Sequence, residues 1–156
     1  MPVDNLFTTP LFAKYIKRKL NNKKLICVSP DVGGVQRTRG LATRLKADLA
    51  IIDKRRPAPG KSQVMNIIGD VKNKTCIIVD DIIDSGGTIV NAVEALKKNG
   101  ANEVYVFITH AVLSGDAVKK IKNSKIKKLI ITDTIDNSKK IKNNNKIELL
   151  SISSLM

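Results

Sequence analysis

The sequence predicts an α/β fold: a single domain in which helices flank a mostly parallel central sheet. Short β-branched runs alternate with helical patterns along the chain, and this alternation is the signature of a parallel α/β sheet. The chain has 156 residues, of which 42% are hydrophobic and 27% charged, a globular balance sufficient for one core. Because no internal repeat or linker interrupts the pattern, we predict one domain over residues 1–156.

Local patterns predict the elements of the first half in order. β-branched runs bounded by turn residues indicate strands, and apolar residues at helical spacing indicate helices, the first with a proline near its start. We expect helices at 10–20 and 35–45 and strands at 25–28, 50–52, 64–68 and 75–79. Residues 53–61 contain two prolines, a glycine and four cations, so we expect this segment to be irregular.

The second half continues the same alternation. An amphipathic pattern predicts a helix at 87–99, and Gly100 ends it in the position after the C-cap. The remaining patterns predict a strand at 103–109, a helix at 115–123 and strands at 128–132 and 147–152. The whole order is that of consecutive β-α-β units, which build parallel sheets.

The charge balance is strongly basic. Lys and Arg number 28 against 14 Asp and Glu, for a formal net charge of +14. Such a field attracts anions, either phosphorylated metabolites or nucleic acid, but the lysines are mixed with Asn and Ile in a way that also fits a compositional bias. Aromatic residues make up 3% of the chain and no nucleic-acid-binding motif is present, so we do not expect dedicated nucleic-acid binding.

The cysteines and the single histidine argue against disulfides and against a zinc site, and the short apolar runs argue against a membrane span. Cys27 and Cys76 each lie within an apolar run, which is typical of reduced core thiols. His110 is the only histidine, so a zinc site lacks ligands, and any metal needs oxygen ligands, which points to Mg²⁺ or Ca²⁺.

No apolar run approaches the ~18 residues of a membrane span, and the first residues carry no secretion signal. We therefore expect a cytoplasmic protein that does not bind membranes.

The most informative stretch is 77–88, which reads IIVDDIIDSGGT and precedes an amphipathic helix. The apolar strand should deliver Asp80 and Asp81 to the carboxyl edge of the sheet, where open α/β folds bind their ligands. The small residues at 85–88 open the helix, and backbone N–H groups at such a helix start bind anions. A ligand with a phosphate and a vicinal diol fits this pattern, with its hydroxyls donating to Asp80 or Asp84. Ribose 5-phosphate has that shape.

A purely structural interpretation of this stretch is a turn followed by a tight helix start. A glycine pair alone would favour that interpretation. We favour a binding site because three acids and the glycine pair lie within nine residues, directly after an apolar strand.

The stretch 77–88 also resembles the ribose-phosphate loop of type I phosphoribosyltransferase-like domains. Further segments resemble, in the same order, the C-terminal half of ribose-phosphate pyrophosphokinases, or PRPP synthetases, which make 5-phosphoribosyl 1-diphosphate (PRPP). The resemblance covers about Val3 to Leu155 and implies a phosphoribosyltransferase-like fold. The segments that carry it are 29–34 (SPDVGG), 53–57 (DKRRP), 62–69 (SQVMNIIG) and 109–115 (THAVLSG).

The resemblance implies roles for individual residues. Lys54 matches the family's catalytic lysine on a flexible loop, and Arg56 matches a second catalytic cation of that loop, which contacts the ribose phosphate and the transferred group. Without the family match, we would expect a solvated basic turn there. Asp31 matches a Mg²⁺-binding aspartate, whereas His110 matches a position outside the metal site and is expected to be structural. The implied ribose 5-phosphate site comprises Arg56, Asp80, Asp84, Ser85, Gly86, Gly87 and Thr88.

The implied reaction transfers the β,γ-diphosphoryl group of ATP to the C1 hydroxyl of ribose 5-phosphate, which yields PRPP and AMP. Members of the family have two homologous halves, and this chain resembles only the second. The resemblance therefore implies that most of the ATP site is missing, that a separate N-terminal domain is the partner, and that the chain forms homo-oligomers. The alternatives are a non-catalytic ribose-phosphate-binding regulatory module or truncated remnant, and a stand-alone phosphoribosyltransferase, for which no base-recognition segment is evident.

Overall fold

The computed structural model describes residues 7–55 and 64–155. Its strands are β1 (Leu25–Ser29), β2 (Asp48–Arg55), β3 (Val64–Ile68), β4 (Thr75–Ile83), β5 (Glu103–Ala111), β6 (Lys128–Thr132) and β7 (Ile147–Leu150). Its helices are α1 (Thr9–Lys19), α2 (Val35–Leu45), α3 (Gly87–Lys98), α4 (Ala117–Asn123), α5 (Ser138–Ile141) and a 3-10 helix at Ser153–Leu155. Within the described residues, no helix has the length and apolarity that a membrane crossing requires.

The strands form one seven-stranded sheet in the order β3-β2-β1-β4-β5-β6-β7. β3 pairs antiparallel with β2, and each of the other neighbouring pairs is parallel. The predicted class, a mostly parallel sheet flanked by helices, is therefore confirmed. Four of the parallel pairs arise because a helix between consecutive strands returns the chain to the same end of the sheet. β4 is parallel to β1 because the chain reverses its direction twice, from β2 to β3 and from β3 to β4.

Helices cover both faces of the sheet. Alternate residues of each central strand point to opposite sides, so each strand contributes side chains to both covered faces. On one face, α1 and α2 pack against the strands, and the rings of Phe12 and Phe107 lie 5.3 Å apart between centroids. On the other face, α3 and α4 cover the sheet, with Leu96 of α3 in the same buried cluster as Ile78 of β4. The central strands are therefore buried on both sides, which explains their nearly continuous apolar sequences.

Residues 53–61 were expected to be irregular, and the structure corrects this at 53–55; residues 56–61 lie outside the described residues. β2 continues to Arg55, and its residues Asp53, Lys54 and Arg55 pair with β3. Polar side chains are compatible with a strand here because β3 satisfies the backbone of β2, while all three side chains retain solvent contact. The composition of the segment does not predict this pairing, because the pairing depends on β3, a partner strand further along the chain.

Two smaller differences concern the last third of the chain. The helix α5 was not predicted, since its 4 residues are too few to show a helical period. β7 ends at Leu150 rather than at residue 152 because the chain turns there, and the backbone N–H of Ile152 donates to Asp133 Oδ1 at 2.9 Å.

Candidate functional site

The candidate site lies where the sheet changes the direction in which strands are added. From β1 the chain builds outward to β2 and β3, whereas β4 pairs on the other side of β1 and later strands build outward from it. At such a switch point, open α/β sheets bind their ligands in a crevice outside the carboxyl ends of the strands. The turns that lead into α2 and α3 follow the paired strands β1 and β4, so both border this crevice.

The turn after β4 leaves the start of α3 open to an anion. Gly86 is the N-cap residue and has a φ of 78°, a left-handed conformation that glycine adopts without strain. No described side chain caps α3, and its backbone hydrogen bonds begin with Val90 N–H donating to Gly86 O at 3.0 Å. The N–H groups of residues 87–89 therefore lack partners within the helix. They form the positive end of its dipole, which attracts phosphate groups.

A cavity of about 250 Å³ opens beside this helix start. Its volume lies just below the ~300–1,000 Å³ of typical small-molecule sites, so it suits a small ligand. Three isoleucines, Ile82, Ile83 and Ile89, form the apolar part of its wall. The rest of the lining consists of five residues that the sequence analysis assigned to the site, namely Asp80, Asp84, Ser85, Gly86 and Thr88.

Asp80 is the strongly perturbed acid of this cavity. Its side chain is 19% exposed, and burial raises its pKa to about 6. The backbone N–H of Asp81 and the Arg37 guanidinium act in the opposite direction, since both stabilise the carboxylate. The neighbouring Asp81 carboxyl is more exposed, and its partial burial acts to raise its pKa. A hydrogen bond between its side chain and that of Asp80, together with the charge of Arg37, outweighs this burial and holds the pKa of Asp81 below its usual range.

Arg37 is a site residue that the sequence analysis did not identify. It lies in the first turn of α2, and its Nη1 donates to Asp80 Oδ1 at 2.9 Å while its Nη2 donates to Asp81 Oδ2 at 2.8 Å. The sequence showed only a basic helix after a turn. The available signal was the position of Arg37 one turn beyond the glycine pair 33–34, where a long side chain can reach the neighbouring strand end.

Asp31 lies in the turn between β1 and α2, at the same edge of the sheet. Its Oδ1 accepts a hydrogen bond from the backbone N–H of Gly34 at 2.8 Å, and its backbone carbonyl accepts one from Ser29 Oγ at 2.6 Å. Asp31 is exposed, so its second carboxylate oxygen remains accessible to a cation. Among the described side chains, no group of three or more His, Cys, Asp or Glu is arranged to hold a metal ion.

Of the two predicted catalytic cations, the structure describes only Lys54. Lys54 is in β2, opposite Met65 of β3, rather than on the flexible loop that the family resemblance implies. It does not line the cavity beside α3. Arg56 lies outside the described residues.

His110 lies near the carboxyl end of β5, beside Ile82 of β4 in the parallel register. It is exposed, and its Nδ1 is 3.0 Å from Thr134 Oγ1. His110 therefore makes its described side-chain hydrogen bond at the surface, and its structural role stays a prediction.

The fold and the cavity together define a phosphoribosyltransferase-like domain. The chain matches the solved structure of phosphoribosylpyrophosphate synthetase from Mycobacterium smegmatis with a TM-score of 0.90 and 36% identity, over 99% of this chain and 49% of that one. It also matches a purine phosphoribosyltransferase from Pyrococcus horikoshii with a TM-score of 0.56 and 26% identity, over 69% of this chain and 73% of that one.

The sequence narrows this class to one family. Residues 55–156 match the family described as phosphoribosyl synthetase-associated domain. A ribose-phosphate pyrophosphokinase from Bradyrhizobium diazoefficiens is 54% identical over 100% of this chain and 49% of its own length, and one from Brucella melitensis is 53% identical over 100% and 50%. The chain belongs to the ribose-phosphate pyrophosphokinase (PRPP synthetase) family, and it spans about half the length of the curated relatives it matches.

Proposed function

We propose that this chain is the ribose 5-phosphate-binding half of a PRPP synthetase. In this proposal it forms a single domain, and a separate N-terminal domain supplies most of the ATP site. Together they transfer the diphosphoryl group of ATP to the C1 hydroxyl of ribose 5-phosphate. The observation that carries the proposal is the cavity beside α3, because one small space collects two acids, two hydroxyl residues and an uncapped helix start.

The chemistry of the cavity suits a sugar phosphate. The N–H groups of residues 87–89 and the hydroxyls of Ser85 and Thr88 would donate to the phosphate oxygens. Asp80 and Asp84 would accept from the ribose hydroxyls, since carboxylates only accept hydrogen bonds when ionised. A site built to bond hydroxyls in this way disfavours analogues that lack them, because its buried acceptor would then be left unpaired.

The cationic part of the proposal rests on Lys54, Arg56 and a Mg²⁺ ion at Asp31. Lys54 and Arg56 would stabilise negative charge on the transferred group, and phosphoryl-type transfer depends chiefly on such positioning and electrostatic stabilisation. Asp31 fits a Mg²⁺ ion that takes one protein carboxylate and otherwise binds phosphate oxygens and water, as Mg²⁺ commonly does. When bound, the ion would neutralise phosphate charge and orient the diphosphoryl group.

The second candidate function is a module that binds ribose phosphate without catalysis. The position of Lys54 favours it, since this catalytic candidate does not line the cavity in which the sugar phosphate would bind. Both candidates require ribose 5-phosphate to bind in the cavity, and they differ only in turnover. The comparisons support a stand-alone phosphoribosyltransferase less well. The purine enzyme from Pyrococcus horikoshii matches 69% of this chain, whereas the synthetase from Mycobacterium smegmatis matches 99%.

A phosphorus NMR time course with ATP, Mg²⁺ and ribose 5-phosphate tests the proposal. The chain is measured alone and with the complementary half of the Bradyrhizobium diazoefficiens relative supplied as a separate polypeptide. We expect PRPP diphosphate signals only in the mixture. No turnover in either sample, with the sugar-phosphate resonance still shifted by the chain, would support the binding module. An unshifted resonance would contradict both candidates.

A further inference from the structure

Arg37 connects the two sides of the crevice. It belongs to α2, which follows β1, yet its guanidinium reaches the carboxylates at the end of β4. Separate nitrogens bond Asp80 and Asp81, so the guanidinium fixes the distance and the orientation of both side chains. A lysine ammonium lacks this planar fork and cannot impose the same geometry.

These hydrogen bonds determine which oxygen of Asp80 is offered to a ligand. Asp80 Oδ1 accepts from Arg37 Nη1 and from the backbone N–H of Asp81, each at 2.9 Å. Among the described residues, every donor that reaches this carboxylate ends on Oδ1. The acceptor capacity of Oδ2 is therefore retained. Asp80 lines the cavity beside α3, and Oδ2 is the oxygen of its carboxylate to which no described donor is bonded.

We infer that Arg37 is a positioning residue for ribose recognition, which holds Asp80 by Oδ1 so that Oδ2 accepts from the hydroxyls of the ligand. The inference rests on the proposed function and adds to it a residue from the opposite side of the crevice. Arg37 does not contact the ligand in this arrangement. Its charge also favours the ionised form of Asp80, which is the form that accepts from hydroxyls.

The opposite arrangement is a plug, in which Arg37 occupies the carboxylates until a ligand displaces it. The two arrangements predict opposite effects of removing the guanidinium. Loss of a positioning residue weakens ligand binding, whereas loss of a plug strengthens it, because the ligand no longer competes with an ion pair. The sign of the affinity change therefore separates them.

The experiment is calorimetric titration of the full chain with ribose 5-phosphate and, separately, with inorganic phosphate. The variants are Arg37→Met, Arg37→Lys and Arg39→Met. Arg39 is the matched control because it is an exposed arginine two residues further along α2. Inorganic phosphate has no hydroxyls on a sugar, so it reports on the start of α3 and on the general loss of a cation. Thermal unfolding of each variant verifies that it folds, and Arg37→Lys provides a second variant if Arg37→Met does not.

We expect Arg37→Met to weaken ribose 5-phosphate binding about tenfold, the scale of one charge-assisted hydrogen bond. Its phosphate affinity should stay within about twofold of the wild type, as should both affinities of Arg39→Met, since exposed single charges contribute little. Arg37→Lys should regain only part of the loss because it restores charge but not the fork.

Three results would overturn the inference. Unchanged or tighter ribose 5-phosphate binding by Arg37→Met would indicate that Arg37 does not position Asp80. Full recovery in Arg37→Lys would assign the effect to charge alone. A wild-type chain that binds phosphate but shows no preference for ribose 5-phosphate would contradict the proposed function itself, and with it this inference.

Discussion

Lys54 lies directly opposite Met65 in the antiparallel pairing of β2 with β3. The same register pairs Arg55 with Val64, so the backbone ladder continues to the last residue described in this part of the chain. Lys54 is thus held by a strand, and its half-buried side chain does not line the cavity beside α3. In the proposed function, this arrangement suits a cation that acts on the transferred group and not on the phosphate of the sugar.

Replacement of Lys54 by alanine should therefore separate turnover from binding. We expect Lys54→Ala to leave ribose 5-phosphate affinity within about twofold and to lower the rate of PRPP formation about 100-fold, as loss of one electrostatic stabiliser of a transition state does. Calorimetry measures the affinity, and phosphorus NMR of the chain mixed with the complementary half measures the rate. Lys98→Ala, at an exposed lysine in the last turn of α3, is the control. A loss of affinity as large as the loss of rate would contradict this role.

Binding of ribose 5-phosphate should depend on the ionisation of Asp80. Because burial raises the pKa of Asp80 to about 6, the side chain is mostly protonated at lower pH and is a poorer acceptor there. We expect affinity to rise between about pH 5 and about pH 7 as the carboxylate forms. Calorimetry across this range measures the rise.

The ligand's own phosphate also loses a proton near pH 6, so the informative quantity is a ratio. The affinity of the wild type divided by that of Asp80→Asn removes the contribution of the phosphate, because both proteins bind the same ligand. This ratio should rise with a midpoint near pH 6, the pKa that burial gives Asp80. A ratio that does not change with pH would show that the Asp80 carboxylate does not accept from the ligand.

The two glycines before α3 should respond differently to substitution. A Cβ at Gly87 would meet no atom within 4 Å, whereas Gly86 has a φ of +78°. We expect Gly87→Val to retain the wild-type Tm and to weaken phosphate and ribose 5-phosphate binding by at least about tenfold, since the side chain obstructs the approach of an anion to the helix start. Gly86→Ala should instead lose roughly 1–2 kcal/mol of stability to backbone strain.

Thermal unfolding and calorimetry on the two variants check this difference. For a domain of this size, each kcal/mol lowers Tm by about 2–4 °C. Full ligand affinity in Gly87→Val would exclude the start of α3 as the phosphate site. An unchanged Tm in Gly86→Ala would show that the turn adapts to a side chain.

The core strands could be predicted from the sequence because a buried strand requires a run of apolar residues, and such a run is visible locally. The strands Val64–Ile68 and Lys128–Thr132 have the predicted bounds, since each is a short apolar run between turn residues. Arg37 could not be assigned to the site in this way. Its contact with Asp80 depends on the pairing of β1 with β4, in which Val28 lies opposite Ile78, and no local pattern shows that pairing. The extension of β2 through Lys54 depends on β3 for the same reason.

The two cysteines should be unreactive in the folded chain. Burial raises the pKa of both thiols to about 12, with a smaller contribution from Cys76 on Cys27, and neither residue is exposed. Because the thiolate is the reactive form, Cys27 and Cys76 should not react with a thiol reagent such as Ellman's reagent under native conditions. Both should react after unfolding in guanidinium chloride. Rapid reaction of either thiol in the native state would contradict the placement of both in the core.

The isolated chain should associate with itself through exposed apolar side chains. Phe7 and Val32 are each 67% exposed, and Ile68 and Leu149, on the two edge strands, are 53% and 44% exposed. Apolar area and open strand edges both favour association, whereas the net charge of +14 opposes it by repulsion. Salt screens this repulsion, with a Debye length of about 10 Å at 0.1 M and about 3 Å at 1 M.

The mass measured by size-exclusion chromatography with light scattering should therefore exceed that of a single chain and increase with salt. A mass that falls with salt would indicate that ion pairs hold the assembly, and a monomer at every salt concentration would contradict the prediction of a homo-oligomer.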